Sequence, residues 1–305
     1  MRAVVLAGGT GGALLAEGFA RALRPPDELT VVANTADDVE MYGVVVSPDF
    51  DAVVYRLAGL FDEERRFGIA GDTFGAMAMF ERLGAETWFR LGDRDLAFCL
   101  ERTRLLRSGL TPSEAARELD RQLDLAALVL PMSDEPLRTW VRTERGELGI
   151  QEWFVRDGQR PPALEIQLRG VESARPAPGL AEILAAADLV VIGPSNPVIS
   201  VEPILALLRP LLDRRRTLAV SPIVGGQALK GPTVEMLRSL GRAPTATAVA
   251  AGYRDVAGAF VLDVRDAGEA DQIEKLGYSV RVTDTVMSSS AQRLSLARAI
   301  IKFAG

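Results

Sequence analysis

The chain has no histidine in its 305 residues and one cysteine, Cys99. Without imidazole there can be no Ser-His-Asp triad, no Cys-His pair and no histidine-ligated zinc. A single thiol excludes an internal disulfide and a thiolate metal cluster, and Cys99, in an apolar-periodic stretch, reads as packing. Catalysis then rests on carboxylates, cations and backbone amides, with any metal a hard, oxygen-ligated one. Lysine is scarce, at Lys230, Lys275 and Lys302 only, so arginine carries nearly all the positive charge; its planar fork suits phosphates and carboxylates. No apolar run approaches the ~18 to 20 residues of a membrane span. The first strand starts within two residues of Met1, which leaves no room for a signal peptide, so the expected location is cytoplasmic, with no membrane partner. A net charge of −6 offers no basic surface, so no nucleic-acid partner is expected.

What is present begins with glycine. Ala3 to Ala7 (AVVLA) reads as a buried strand and Ala13 to Leu23 (ALLAEGFARAL) as a helix, with Gly8, Gly9, Thr10, Gly11 and Gly12 between them. Such a turn lets a ligand approach the backbone while the N–H groups of the helix start favour an anion. The reading is a phosphate-binding first loop; a merely tight turn is the bland alternative. Read as G-x-G-x-x-G from Gly9, the last position is Leu14, and no Gly-Lys-Ser/Thr follows. Neither a nicotinamide dehydrogenase nor a P-loop kinase fits.

The second strand, Leu29 to Ala33, ends in Asn34, Thr35, Ala36, Asp37, Asp38, and a third segment brings Ser47, Pro48, Asp49, Phe50, Asp51 before a helix from about Ala52 to Leu60. Asp49 or Asp51 alone would pass as helix caps. Four carboxylates on two loops at one sheet edge repel one another, and a cation or helix N-termini must offset that repulsion. A magnesium site using one or two of Asp37, Asp38, Asp49 and Asp51 is therefore expected.

Farther on, Gly71, Asp72, Thr73, Phe74 and the run from Trp88 through Arg90 to Asp95 each lead into a helix, as caps or ion pairs would. Thr111, Pro112, Ser113, Glu114 is a capping box. Between Leu128 and Leu168, short alternating runs (LVLP, RTWVRT, IQEWFVR, ALEIQL) suggest antiparallel strands. Strands at Asp188 to Ile192, Thr217 to Val220, Ala259 to Leu262 and Ser279 to Val282 then alternate with polar turns and helices. The pattern predicts one α/β domain over 1–305, a Rossmann-like, doubly wound parallel sheet. Its core would be 1–56 and 179–305, with a helical and antiparallel insertion of about 57–178 roofing the crevice.

Eight segments in register, GGTGG (8–12), NTADD (34–38), SPDFD (47–51), GDTF (71–74), LGDRD (91–95), LPMSD (130–134), GPSNP (193–197) and SPIVG (221–225), resemble the 2-phospho-L-lactate transferase family of coenzyme F-420 biosynthesis, the CofD or FbiA type. That resemblance implies a Mg²⁺-dependent transfer. The terminal ribityl hydroxyl of the deazaflavin Fo attacks the diphosphate of a guanylylated three-carbon acid, forming a phosphodiester and releasing GMP. It implies that Gly8 to Gly12, Ser195, Asn196 and Ser200 hold the guanosine diphosphate, and that Asp51 and Arg90 contact Fo. Asp72, Thr73 and Phe74 would line the flavin pocket. Asp38 and Asp51, with Asp37 or Asp49, would hold magnesium. Asp51 and Asp38 are the catalytic candidates, Asp51 orienting the attacking hydroxyl. The stretch Gly12, Ala13, Leu14 departs from the threonine, proline and lysine of some relatives, which leaves lactate, enolpyruvate and glycerate open as the acid. A homodimer is the expected assembly. The alternative from another class is a non-catalytic nucleotide-sugar-binding regulator of the same superfamily; a glycosyltransferase fits less well, since the second half lacks a donor-binding resemblance.

Overall fold

Ala3 to Ala7 are buried without interruption, which puts the first strand, β1 (Arg2–Ala7), inside a sheet covered on both faces. The computed structural model describes residues 1–228 and 231–305. After β1 come α1 (Gly9–Ala22), β2 (Glu28–Ala33), a hairpin of β3 (Val39–Met41) and β4 (Val44–Val46), α2 (Pro48–Leu57), α3 (Gly75–Arg82), α4 (Asp93–Arg107), α5 (Pro112–Gln122) and β5 (Leu128–Pro131). A separate antiparallel sheet follows, β6 (Arg138–Thr143), β7 (Gly146–Gly149) and β8 (Glu165–Arg169), ordered β7-β6-β8. The chain continues through α6 (Leu180–Ala186), β9 (Leu189–Ile192), α7 (Glu202–Leu208), β10 (Thr217–Val220), the short pair β11 (Ile223–Val224) and β12 (Gln227–Ala228), α8 (Thr233–Ser239) and α9 (Ala246–Tyr253). It closes with β13 (Ala259–Asp263), α10 (Ala270–Lys275), β14 (Ser279–Thr283) and α11 (Ser290–Ala304).

The main sheet has seven strands in the order β5-β2-β1-β9-β10-β13-β14, all parallel. In chain order this is 3-2-1-4-5-6-7, the Rossmann arrangement with one added strand. Alternation along β1 shows the double winding directly. Val4 and Leu6 join a core with α7 and α9, whereas Ala3, Val5 and Ala7 join one with α1, α2 and α11. The strand order reverses between β1 and β9, and the carboxyl ends of the strands at such a reversal are where doubly wound sheets place their ligands. Among the described residues, no helix is long and apolar enough to cross a membrane.

Two local expectations fail. LVLP is not part of an antiparallel meander: β5 pairs in parallel with β2 and forms one edge of the main sheet, so the segment 57–178 contributes to that sheet. A short, nearly continuous apolar run carries no orientation, and its burial suits a parallel strand. IQEWFVR is not a strand either, since Glu152–Arg156 forms a π-helical turn. Ile150 and Gln151, just before the turn, and Trp153 within it are all buried, which strand alternation could not achieve, and the Trp153 indole donates to the Pro161 carbonyl at 2.8 Å. The capping box at Thr111 forms with both of its bonds.

Candidate functional site

The glycine run is shaped first by packing against the protein itself. Helix α1 begins at Gly9, within the run rather than after it. A Cβ on Gly8 would lie 2.1 Å from the Ser200 carbonyl oxygen, and one on Gly11 1.9 Å from that of Pro194. Both positions therefore exclude a side chain, and the first loop is clamped against the GPSNP turn that follows β9. Ser195 Oγ completes the clamp by accepting the Gly12 N–H at 2.8 Å. Asn196 Oδ1 accepts the Val198 and Ile199 N–H groups, capping the short turn that carries Ser200. Gly9 is different. Its φ of +68° calls for glycine, and a Cβ there would sit 3.2 Å from Ser200 Oγ and 3.7 Å from Asp49 Oδ1. The loops after β1 and β9 thus meet the start of α2 at one point, beside the half-buried Thr10.

The acids are arranged in two ranks. Asp38 and Asp49 are partly open to solvent, while Asp37 and Asp51 are buried. Asn34 ties two loops together, donating through Nδ2 to Asp49 Oδ2 at 2.9 Å and to the Ile199 carbonyl at 3.3 Å. Ser47 ties two more, its hydroxyl donating to Asp38 at 2.5 Å and its N–H to Asp51 at 3.3 Å. Asp37 is 7% exposed, and among the described residues its Oδ1 has no hydrogen-bond partner. Burial, reinforced by the neighbouring Asp49 and Asp38 charges, holds its carboxyl well above the usual range. Burial also pushes Asp38 up to about 7, against the Ser47 hydrogen bond and the Arg102 and Arg138 charges.

Asp51, in the first turn of α2, is 5% exposed and paired with a residue that the sequence reading did not select. Arg102, on α4, donates through both terminal nitrogens to the two Asp51 oxygens and to the Val45 carbonyl at 3.2 Å. Burial raises the Asp51 carboxyl, and the guanidinium opposes that rise. Next to this pair, Tyr55 donates to Asp95 Oδ1 at 2.7 Å, and burial pushes Asp95 up to about 6. Burial likewise raises the Cys99 thiol far above its ordinary range, as a packing residue requires. Asp95, Cys99 and Arg102 recur at helical spacing on one face of α4. The spacing of Arg102 from Cys99 and Asp95 is the trace it leaves in the sequence, and it does not show which face of α4 is buried.

GDTF and LGDRD interlock. The Asp72 carboxylate accepts N–H groups from Thr73, Arg94 and Asp95 at 2.8, 2.9 and 3.0 Å, closing the start of α4. Asp93 in turn accepts from the Thr73 hydroxyl and from the Gly75 and Ala76 N–H groups, closing the start of α3. Asp72 and Thr73 are therefore engaged in the protein's own structure. Phe74 is flanked by the Arg65 and Arg90 guanidinium groups, 5.1 and 5.0 Å from its ring centre, and Arg90 is exposed.

These contacts link Gly9, Ser200, Asp49 and Asn34 at the reversal point, and Asp38, Ser47, Asp51 and Arg102 beside it. The four acids proposed for magnesium are not gathered into one cage: among the described residues, the ligand atoms that come within 4.8 Å of one another as a trio belong to Asp51, Asp95 and Cys99. That trio does not suit a hard cation, since Arg102 already neutralises Asp51 and the third member is a protonated thiol. Asp38 and Asp49 fit better, because magnesium uses one or two carboxylates plus waters and substrate phosphates. A cleft of about 250 Å³ lies to one side, between β6 and β8 and the start of α7, walled by Thr139, Ile166, Val198 and Glu202. None of the sequence-selected site residues lines it.

The family model described as 2-phospho-L-lactate transferase CofD matches residues 3–287. A 2-phospho-L-lactate transferase of Methanosarcina acetivorans is 37% identical over 300 residues, covering 98% of this chain and 97% of its own. A phosphoenolpyruvate transferase of Kitasatospora aureofaciens is 36% identical over 314 residues, covering 100% of this chain and 98% of its own. Among solved structures, a UPF0052 family protein from Bacillus halodurans superposes with a TM-score of 0.62 over 98% of both chains. At 14% identity, that likeness is one of fold.

Proposed function

This chain belongs to the CofD family of 2-phospho-L-lactate transferases, and from that premise we propose that it makes the phosphodiester of a coenzyme F-420 precursor. The acceptor is the terminal ribityl hydroxyl of the deazaflavin Fo. The donor is the guanosine diphosphate derivative of a three-carbon acid. The hydroxyl oxygen bonds to the phosphorus that carries the acid, the bond from that phosphorus to the GMP oxygen breaks, and the hydroxyl proton is released. One observation carries the reading: the segments after β1 and β9 and the acid-bearing start of α2 converge on Gly9, with Asp51 two residues beyond Asp49 on the same helix.

Such a transfer needs in-line positioning and charge neutralisation more than a strong proton shuttle, which suits a chain without histidine. The start of α1, from Gly9 through Thr10, would face the diphosphate with its N–H groups, and the Ser200 hydroxyl lies beside it. Ser195 and Asn196 hold that wall in place rather than reaching out of it. Asp51 orients the acceptor hydroxyl, and exposed Arg90 with Phe74 offers a cationic and aromatic surface to the ring system. Asp38 and Asp49, backed by Asp37, would hold magnesium, which supplies neutralisation of the diphosphate charge. The protein acts as a cytoplasmic homodimer in this proposal, and light scattering after size exclusion checks the dimer.

The test is incubation with Fo, Mg²⁺ and each of the guanylylated lactate, enolpyruvate and glycerate donors, with products identified by mass. Expected are one phosphodiester product and stoichiometric GMP, both lost on chelation and restored by Mg²⁺. Saturable nucleotide-sugar binding with no Fo fluorescence change and no product would favour the regulator instead.

A further inference from the structure

We propose that Arg102 is a positioning residue for the transfer, fixing Asp51 in the single orientation from which its carboxylate serves the acceptor hydroxyl. The inference rests on the transferase reading above. Arg102 reaches from α4 across to α2, so the two halves of the pair come from different parts of the chain. Both side chains are almost fully enclosed, at 7% and 6% exposed. The guanidinium meets both Asp51 oxygens with its two terminal nitrogens, while the Ser47 N–H anchors Oδ2 from the other side. Each Asp51 oxygen therefore has at least one donor on it. The Val45 carbonyl takes another of the guanidinium protons, and the Phe50 and Phe98 rings lie 5.5 and 5.1 Å from its centre.

Stability alone is a poor reason for this pair. Burying two charges costs so much desolvation that apolar residues of the same volume usually serve a core as well or better. A fork-shaped donor gripping both oxygens does something an apolar pair cannot: it sets the plane and the lone-pair directions of a carboxylate. Lysine, a point charge on a flexible stem, would keep the charge and lose the plane. The separation of charge from geometry makes the idea testable.

Arg102→Lys and Arg102→Ala are compared with the unaltered chain in the Fo assay, with circular dichroism and thermal melting as folding controls. Arg102→Lys should lower kcat by on the order of 10²-fold, the cost of about an ångström of misplacement. The KM for the guanylylated acid should stay within about threefold, because its binding wall at Gly9 and Ser200 is untouched. Methylguanidine should restore part of the rate to Arg102→Ala and none to Asp51→Asn. Wild-type kcat in Arg102→Lys overturns the proposal, as does a rate loss that only tracks the loss of folded protein. If neither Arg102 variant folds, the pair is structural and the proposal falls. If the unaltered chain makes no product from any donor, the transferase reading itself fails, an outcome distinct from the others.

Discussion

Removing the Asp72 carboxylate should loosen a helix that never touches it as a neighbour in sequence. Asp72 is 8% exposed and accepts three N–H groups, two of them, from Arg94 and Asp95, in the first turn of α4. Asp72→Ala takes away a helix cap, worth about 1 kcal/mol. It also strands the Asp95 N–H in a buried setting, and an unpaired buried donor costs about 1 to 3 kcal/mol. The partly open Thr73 and Arg94 N–H groups can turn to water and add little. Together these give a loss of about 2 to 4 kcal/mol, which urea unfolding followed by tryptophan fluorescence resolves easily. Asp72→Asn keeps an acceptor oxygen but sets an amide N–H against one of the three donors, so it should fall between the two. Turnover should drop further than stability alone explains, because α4 carries Arg102 about two and a half turns on. A loss under about 0.5 kcal/mol in Asp72→Ala, or an Asn variant less stable than the Ala variant, refutes the capping argument.

Gly11→Ala should destabilise by about 1 to 3 kcal/mol or more, since its Cβ would fall 1.9 Å from the Pro194 oxygen, whereas Gly9→Ala should cost about 1 kcal/mol of backbone strain and act mainly by weakening donor binding; paired melting curves and nucleotide titrations separate the two. Asp51→Asn should cut turnover by about 10²-fold or more while leaving guanine nucleotide affinity within a few-fold, measured by steady-state kinetics and calorimetry. Stability should fall as pH rises from about 4 to about 7. Burial pushes Asp38 and Asp120 up to about 7 and Asp95 up to about 6, so the folded state holds protons in that window that the unfolded chain has released. Their contribution is complete below the ordinary carboxylate range and is lost as pH passes through these raised values. Urea midpoints across the window check the sign, and Asp120→Asn should flatten the slope.

Much of the sheet could be read from strand-turn-helix alternation. Thr217–Val220 forms with the expected bounds, and Ala259 onward and Ser279 onward each run one residue longer than expected. What failed was orientation and local helical form. Four apolar residues at Leu128 cannot say whether their neighbour runs parallel, and the π-turn at Glu152 comes from inward packing of three residues that no periodicity encodes. The glycine run reads as a loop in the sequence, yet all of it but Gly8 opens α1, and Gly8 and Gly11 lack side chains because the Ser200 and Pro194 carbonyls approach them from the segment after the neighbouring strand β9. Arg102 stayed hidden because its partner lies on another helix, and a lone arginine in an amphipathic stretch reads as solvated until its face is known.

The motif words of this chain therefore act at different removes from the chemistry. Gly9, Asp38 and Asp49 stand at the rim where a diphosphate and its cation would meet the protein. Asp72 and Asp93 are engaged within the protein, each closing the start of the helix that the other's segment begins. That exchange of caps seats α3 and α4 against each other. The seated α4 carries Asp95 and Arg102 inward, and Arg102 holds the buried Asp51 two residues beyond Asp49. In the proposed reaction, a substitution at Asp72 would then act at a distance, through the angle of one helix and the plane of one carboxylate. The same chain of contacts explains why four acids near one edge need not form one metal cage. An arginine delivered by a distant helix has already claimed one of them, and in the proposed reaction the partly open Asp38 and Asp49 would be the ones to meet a divalent ion.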